Sequence, residues 1–563
     1  MPFLQPFHSA PLTSFYTESL AIGLGLGVIA VLLDRDAWAD AEVPWVALMP
    51  FGLALLLLLH GALGWSPYFG QPMMGALYLA WAGVLIVAAR TLCRLCGLDS
   101  VITVMASGLV IGALLSALIG VIQHFGLATP LDGFITRASG SAIFGNMGQP
   151  NHYAAYITLG LFSLAFLRAR GRLQWMAAVF IALPMLFVLG LSGSRSVWLY
   201  LLTAFVLSFW LKTKTVSGQN PEGGRLFLFC AGMIIIHAAM QGLVRAGWLM
   251  PVGRESVTAI ERLFSGAASL TERIGIWQAA WRIAWEHPLL GTGWGAFATH
   301  FYGFSANLGV PAGQANNAHN IVLHLFAETG LIGLALLCIP LLIWAPAQFR
   351  STPDGSRWWL YAVLGVIAIH SSLEFPLWYA YFLGIAALLL GMAPSTGFVP
   401  RLARMGRFFA ATVIAIGLLN TVLLWLDYRQ LEGIYLVTLK KDRKIDFTDA
   451  VTRLHANPLL APYIELAAAY PLAVDEQNLA WRLQLVERVI RFNPLPVLVY
   501  RQALLLALAD RAAESRSRLA QAMRVYPSAP PGFDGELARL ARLYPARFGP
   551  LLEFRSRRPA GQS

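Results

Sequence analysis

Residues 101–126 read VITVMASGLVIGALLSALIGVIQHFG, 26 positions without one Lys, Arg, Asp or Glu. An α-helix rises 1.5 Å per residue, so about 20 apolar residues cross the hydrocarbon core of a bilayer. This stretch is long enough to do so with room for tilt. Working outward from it, about twelve runs of similar character appear, centred near 18–33, 44–64, 72–89, 101–126, 152–167, 173–190, 196–211, 226–244, 319–346, 358–373, 376–393 and 408–426. No Lys or Arg precedes the first run, so it lacks the basic segment of a signal peptide. Composition agrees. Of 563 residues, 57% are hydrophobic and 12% charged, about half the charge that coats a soluble domain. A soluble cytosolic enzyme and a disordered chain are both excluded. The 18 Trp and 17 Tyr suit the membrane–water interface. The expected fold is an all-α polytopic membrane protein.

Short loops that carry Lys and Arg face the cytoplasm. Alternate connections hold Arg35; Arg90 and Arg94; Arg168, Arg170 and Arg172; Lys212, Lys214 and Arg225; Arg350 and Arg357; and Arg401, Arg404 and Arg407, 14 basic residues against two, Arg137 and Arg195, on the other side. Both termini are therefore expected outside, in the periplasm of a Gram-negative cell, with the chain in its inner membrane. The net charge of +12 is largely topological, and it requires no nucleic-acid partner. The division expected is a membrane domain over 1–426, with a large outer loop over 247–318, and a periplasmic tail over 427–563. The tail holds 20 Lys/Arg and 14 Asp/Glu. It reads as short amphipathic helices ended by Asn457-Pro458, Tyr470-Pro471, Asn493-Pro494, Tyr526-Pro527 and Tyr544-Pro545. The 33-residue step from Pro494 to Pro527 resembles a tetratricopeptide-type hairpin. Such hairpins bind protein segments, and the tail is expected to select an acceptor; a helical cap with no partner is the plain alternative.

The residues with chemical potential fall on the outward side. Gly145-Asn-Met-Gly-Gln149-Pro150-Asn151-His152 offers two glycines for tight backbone, a proline suited to a helix start, and amides at Asn146, Gln149 and Asn151 of the kind that grip sugar hydroxyls. A capped helix start is the plain alternative. Ser192-Gly-Ser-Arg195-Ser196 puts an arginine at membrane depth, where it serves function or snorkels; its planar fork suits phosphate oxygens. Thr271-Glu-Arg273-Ile-Gly-Ile-Trp277 opens a helix running to His287-Pro288, and Arg273 is either a second anion ligand or the partner of Glu272 or Glu261. Gly291-Thr-Gly293-Trp-Gly295 has neither the strand nor the lysine of a nucleotide loop. Asn316-Asn-Ala-His319-Asn320 stands where the outer loop enters a span, and a histidine there serves as base or orienter, with the Asn320 amide beside it. His324 and Glu328 lie deeper on one helical face, and His324 reads as packing. Glu374-Phe-Pro-Leu-Trp-Tyr379-Ala-Tyr381 is a short outer turn with an acid and aromatics. Cys93-x-x-Cys96 lacks a second Cys or His pair, so no metal site is expected. Two cations suit a diphosphate, amides and aromatics suit sugar, and a base suits a hydroxyl nucleophile. That combination points to glycosyl transfer from a lipid diphosphate.

His319-Asn320 with Leu323-His324-Leu325 and Glu328-Thr329-Gly330, after a long loop containing Arg273 and Trp277, resembles the Wzy_C superfamily of O-antigen ligases and polymerases. Gly145-Asn146, Gly148-Gln149-Pro150-Asn151-His152 and Glu374-Phe375-Pro376-Leu377-Trp378-Tyr379 resemble its PglL-type bacterial protein O-oligosaccharyltransferases. The resemblance runs from about residue 140 onward; the first 130 residues match only as apolar spans. It implies en bloc transfer of an oligosaccharide from undecaprenyl diphosphate to Ser or Thr of exported proteins such as pilins, without metal, cofactor or nucleotide sugar. It further implies His319 as the essential histidine, Arg195 and Arg273 as the diphosphate arginines, and Gln149 and Tyr379 as residues needed for transfer, with Tyr381 an alternative to Tyr379. Asn151 and Asn320 are the further substrate-binding candidates. Two rivals stand beside this reading: an O-antigen ligase acting on lipid A-core, and a transporter of polyprenyl-linked glycan. A transporter tends to bind near the bilayer midplane, whereas these motifs gather at one leaflet.

Overall fold

In lipid a backbone must satisfy its own hydrogen bonds, which a helix does within one segment; the apolar runs accordingly all become helices. The structure is a computed structural model that describes residues 1–38, 42–137, 143–213, 221–249, 267–308, 315–349, 354–399, 403–440 and 453–557. Lys214, Glu261, Arg350 and Arg401 lie outside the described residues. The helices are α1 (Phe15–Ile29), α2 (Leu48–Ala62), α3 (Gly70–Cys96), α4 (Leu98–Phe125), α5 (Pro150–Ala169), α6 (Trp175–Leu191) and α7 (Ser196–Thr213). They continue as α8 (Pro221–Arg245), α9 (Ala267–Glu286), α10 (Phe297–Leu308), α11 (Ile321–Phe349), α12 (Gly355–Leu373), α13 (Ala380–Met392) and α14 (Ala403–Lys440). Six shorter helices follow: α15 (Ala461–Ala469), α16 (Leu479–Phe492), α17 (Pro496–Leu508), α18 (Ala512–Val525), α19 (Phe533–Leu543) and α20 (Pro545–Ser556).

Among the described residues, eight helices are long and apolar enough to cross a membrane: Phe15–Leu33, Trp45–Ala62, Gly70–Cys96, Leu98–Phe125, Ser196–Thr213, Pro221–Arg245, Ile321–Gln348 and Met405–Leu436. The other four of the twelve expected spans are the helices α5, α6, α12 and α13, which fall short of that standard. At 17 and 13 residues, α6 and α13 are too short to span the core untilted. For α5 the reason is packing. Every residue from His152 to Leu167 is buried, because α4, α6, α7, α8 and α12 all pack on it. A helix lined by protein instead of lipid tolerates its Tyr153, Thr158 and Ser163, so its composition is less apolar than a lipid-facing span.

The chain divides into two units. The first comprises 1–51, 78–267 and 337–425. Its centre is α5, and small residues let neighbours approach: a Cβ at Gly160 would lie 2.2 Å from Ala113 Cβ on α4. Phe3 stacks on Tyr156 at 3.8 Å, tying the N-terminal segment to α5. Several loop arginines are paired: Arg90 with Glu42 at 2.6 Å, and Arg170 with Asp99 at 3.0 Å. A two-residue ribbon pairs β1 (Val43–Pro44) with β2 (Gly397–Phe398) in antiparallel register.

The second unit comprises 52–77, 268–336 and 426–563. Two clusters build its interior. One joins Ile276, Ala280 and Ile283 of α9 to Phe297 and Phe301 of α10 and Phe326 of α11. The other fills the tail, where α16 packs on α17, α17 on α18, and α19 on α20, the helical hairpins expected from the proline-marked turns. Tail and loop are joined by specific contacts. Tyr302 of α10 stacks on Tyr526 at 5.9 Å, Thr299 Oγ1 donates to the Arg491 carbonyl at 2.7 Å, and the Tyr68 hydroxyl donates to Glu465 at 2.6 Å. Burial, with that carboxylate beside it, pushes the Tyr68 hydroxyl well above its ordinary titration range.

Candidate functional site

In the first unit, α5 starts as its sequence implies. Gln149 is the N-cap, its Oε1 accepting the His152 amide, and Pro150 occupies the first helical position. Gly145 and Gly148 both adopt positive φ, 56° and 73°, and a Cβ at Gly145 would meet the Tyr153 ring at 2.7 Å. The capped helix start and the motif are thus one object. Asn146 proves structural: its side chain donates to the Leu4 and Phe134 carbonyls and accepts from the Thr136 amide. Asn151 instead reaches across to the other motif, its Nδ2 donating to Glu374 Oε1 at 2.8 Å. Glu374, buried at 4% exposure, closes α12, and Tyr379 opens α13. The Tyr379 ring stands edge-on to His152 at 5.1 Å, whereas Tyr381 packs into the interior against Phe3 and Phe382. Tyr379 therefore stands beside His152 in the first turn of α5, with Tyr381 stacked on it at 5.2 Å.

Beneath this junction runs a buried polar chain. His152 Nδ1 lies 2.8 Å from His370 Nε2, and His370 Nδ1 lies 3.1 Å from the Tyr200 hydroxyl, which also bonds Ser196. Arg195 immediately precedes Ser196. It sits in the turn between α6 and α7, where Gly193 at φ 62° and Ser192 as C-cap reverse the chain. The half-buried Arg195 is thus connected through Ser196, Tyr200 and His370 to the turn holding Gln149, Asn151 and Tyr379. His370 and Tyr200 are the residues that sequence reasoning missed.

In the second unit, α9 carries Arg273 and Trp277 one turn apart on one face. The Trp277 indole donates to the Ala318 carbonyl at 3.0 Å, beside His319. His319 has φ 50°, in the left-handed region that non-glycine residues rarely enter. Its amide donates to Asn317 Oδ1 at 2.9 Å, and Asn320 Oδ1 accepts the Val322 and Leu323 amides, capping α11. His319 and Asn320 therefore stand at the junction that Trp277 contacts, and Arg273 lies one turn before Trp277 on α9; Arg273 and His319 are both half-buried.

α11 is not continuous. Gly330 has φ 64° and ψ −162°, which breaks the helix six residues past His324. The Gly291–Gly295 loop fills the break: Thr292 and Gly293 donate to the Ala327 and Glu328 carbonyls, while Leu331 and Ile332 donate to the Pro288 and Leu289 carbonyls. All three glycines of this loop have positive φ, and a Cβ at Gly291 would lie 2.2 Å from the Glu328 backbone. The loop is a splint for a broken helix. No cluster of three or more His, Cys, Asp or Glu suited to a metal occurs among the described residues.

Residues 143–167 match the family described as protein glycosylation ligase, which covers the Gln149–Asn151 turn and α5. Residues 180–338 match the family described as O-antigen ligase, and 358–534 the C-terminal part of a virulence factor membrane-bound polymerase family. A general O-oligosaccharyltransferase of Acinetobacter baylyi is 24% identical over 76% of this chain and 74% of its own. The chain is similar to the PglL-type protein O-oligosaccharyltransferases. A ComP-specific O-oligosaccharyltransferase of the same organism is 24% identical over 53% of this chain and 52% of its own. The exopolysaccharide production protein ExoQ of Rhizobium meliloti is 28% identical over 47% of this chain and 57% of its own. The Asn151–Glu374 contact thus joins the 143–167 match to the 358–534 match.

Proposed function

We propose that this multi-pass membrane protein transfers an oligosaccharide en bloc from undecaprenyl diphosphate to Ser or Thr hydroxyls of exported, pilin-like proteins, at the periplasmic face of the inner membrane. The observation that carries the reading is the Asn151–Glu374 contact, which joins a turn inside the protein glycosylation ligase match to the Glu374–Tyr379 turn. The A. baylyi relative, an O-oligosaccharyltransferase by name, supports the same reaction class. In the proposed step the acceptor oxygen attacks C1 of the sugar and the C1–O bond to the diphosphate breaks. The electron pair leaves with the diphosphate, whose developing charge Arg195 and Arg273 neutralise. His319 takes or orients the hydroxyl proton, typically worth about 10²–10⁴-fold in rate. Gln149, Asn151, Asn320 and Tyr379 hold the substrates, and no metal or cofactor enters.

The match of 180–338 to the O-antigen ligase family favours a second reading, in which the acceptor is a lipid A-core sugar. Purified protein given one lipid-linked donor and either pilin or lipid A-core separates the two. Modified pilin is the outcome expected; modified lipid A-core with untouched pilin overturns it. Donor translocation in vesicles that contain no acceptor would point to a transporter instead.

A further inference from the structure

We propose that Glu328 and His324 form a buried positioning pair that holds the backbone at His319, an inference that rests on His319 serving the acceptor proton. His319 keeps a left-handed φ of 50°. For a residue with a Cβ such a conformation costs of order 1–3 kcal/mol and persists only where its surroundings over-determine it. Three side chains do so. Trp277 donates to the Ala318 carbonyl, Asn317 accepts the His319 amide, and His324 Nδ1 accepts the Ala318 amide at 3.2 Å.

The last contact fixes the chemistry of His324. A ring nitrogen that accepts from an amide carries no proton, so the proton of the neutral ring is on Nε2. Nε2 lies 3.3 Å from Glu328 Oε2, which accepts that proton's hydrogen bond. Both side chains are only 2% exposed, so the pair is dry and its geometry is fixed by packing, with the His324 ring against Phe297 at 5.1 Å. Glu328 is itself held: its Oε1 accepts the Phe297 amide at 2.9 Å, and its backbone carbonyl accepts from Gly293. The chain of contacts therefore runs from the Gly291–Gly295 loop through the carboxylate and the imidazole to the peptide just before His319. A carboxylate that sets a histidine tautomer is the same device that orients metal ligands and catalytic histidines. Here its output is a backbone amide instead of a ring nitrogen facing substrate. His324, read from sequence as packing, is thus a positioning residue.

Full-length protein, assayed with a polyprenyl-diphosphate-linked oligosaccharide and a Ser-containing peptide, tests this. In His324→Asn, the Oδ1 stands where Nδ1 stood and still accepts the Ala318 amide. In His324→Gln, the amide reaches Glu328 but leaves Ala318 without its acceptor, and His324→Leu offers neither. A misplacement of about 1 Å at a reacting group costs about 10²-fold. Accordingly His324→Leu and His324→Gln should lower kcat by about that factor with donor KM changed less than about threefold, and His324→Asn should recover at least about tenfold of the loss. Glu328→Gln should fall between them. Equal kcat for the Asn and Gln variants, at matched melting temperatures, overturns the positioning role, as does wild-type kcat in His324→Leu. His319→Ala is the control that separates the two claims: if it retains transfer, the reading of His319 fails, whatever the His324 variants do.

Discussion

Arg195 and Arg273 are both half-buried. Each stands near a turn shaped by the chain's own geometry: a left-handed Gly193 in one case, the Trp277–Ala318 bond in the other. If both hold diphosphate oxygens, Lys in place of either keeps the charge and loses the planar fork. Transfer should then fall at least about tenfold with the protein still inserted, equivalent to about 1.4 kcal/mol, in kinetics with the lipid-linked donor. His319→Ala should reduce turnover by about 10²–10⁴-fold without lowering the melting temperature in detergent. The Asn151–Glu374 contact makes a further prediction. Asn151→Asp would set two carboxylates against each other at a buried site, and should destabilise by about 1–3 kcal/mol in thermal unfolding, more than Asn151→Ser.

The main lesson at the scale of elements is the break in α11. Its run of apolar residues reads in sequence as one span, because an isolated glycine in such a run is tolerated and gives no sign of its φ. What determines the break is the Gly291–Gly295 loop, 35 or more residues upstream, whose amides satisfy the carbonyls that the broken helix frees. Gly330→Ala places a Cβ 2.3 Å from the Leu289 carbonyl at a positive φ. Strain and overpacking each cost about 1–3 kcal/mol, so the melting temperature should fall sharply. A Gly303→Ala control, where nothing lies within 4 Å of the added Cβ, should not. The start of α5 was by contrast fully legible, since Pro150 and Gln149 act locally. His370 and Tyr200 were not: they are 170 residues apart and meet only through the fold. The sheathing of α5 by five helices likewise escaped a reading that takes apolarity as the measure of a span.

At the scale of the whole molecule, the tail is packed into the second unit. From sequence the tail is expected to select a folded acceptor, so that cutting it away leaves donor binding intact and weakens transfer to a short peptide less than to a folded protein. In the second unit, however, it packs on α10 through Tyr302 and Tyr526 and on the 52–77 segment through Glu465 and Tyr68. Each buried aromatic contributes about 1.5–3 kcal/mol. Cutting after residue 430 should therefore impair transfer to a short peptide and to a folded protein alike, whereas a tail that only selects the acceptor would leave the peptide less affected. Substitutions on the exposed tail surface, such as Trp481→Ala at 53% exposure, are the better probe of acceptor choice and should affect only the folded protein. The central claim, transfer of a whole glycan to protein, is tested most directly by the intact mass of a purified pilin-like acceptor after incubation with the full-length protein and undecaprenyl-diphosphate-linked oligosaccharide. The account predicts a gain equal to one complete oligosaccharide, on Ser or Thr, that is lost with His319→Ala. An unchanged acceptor mass while lipid A-core in the same reaction gains the glycan would contradict it.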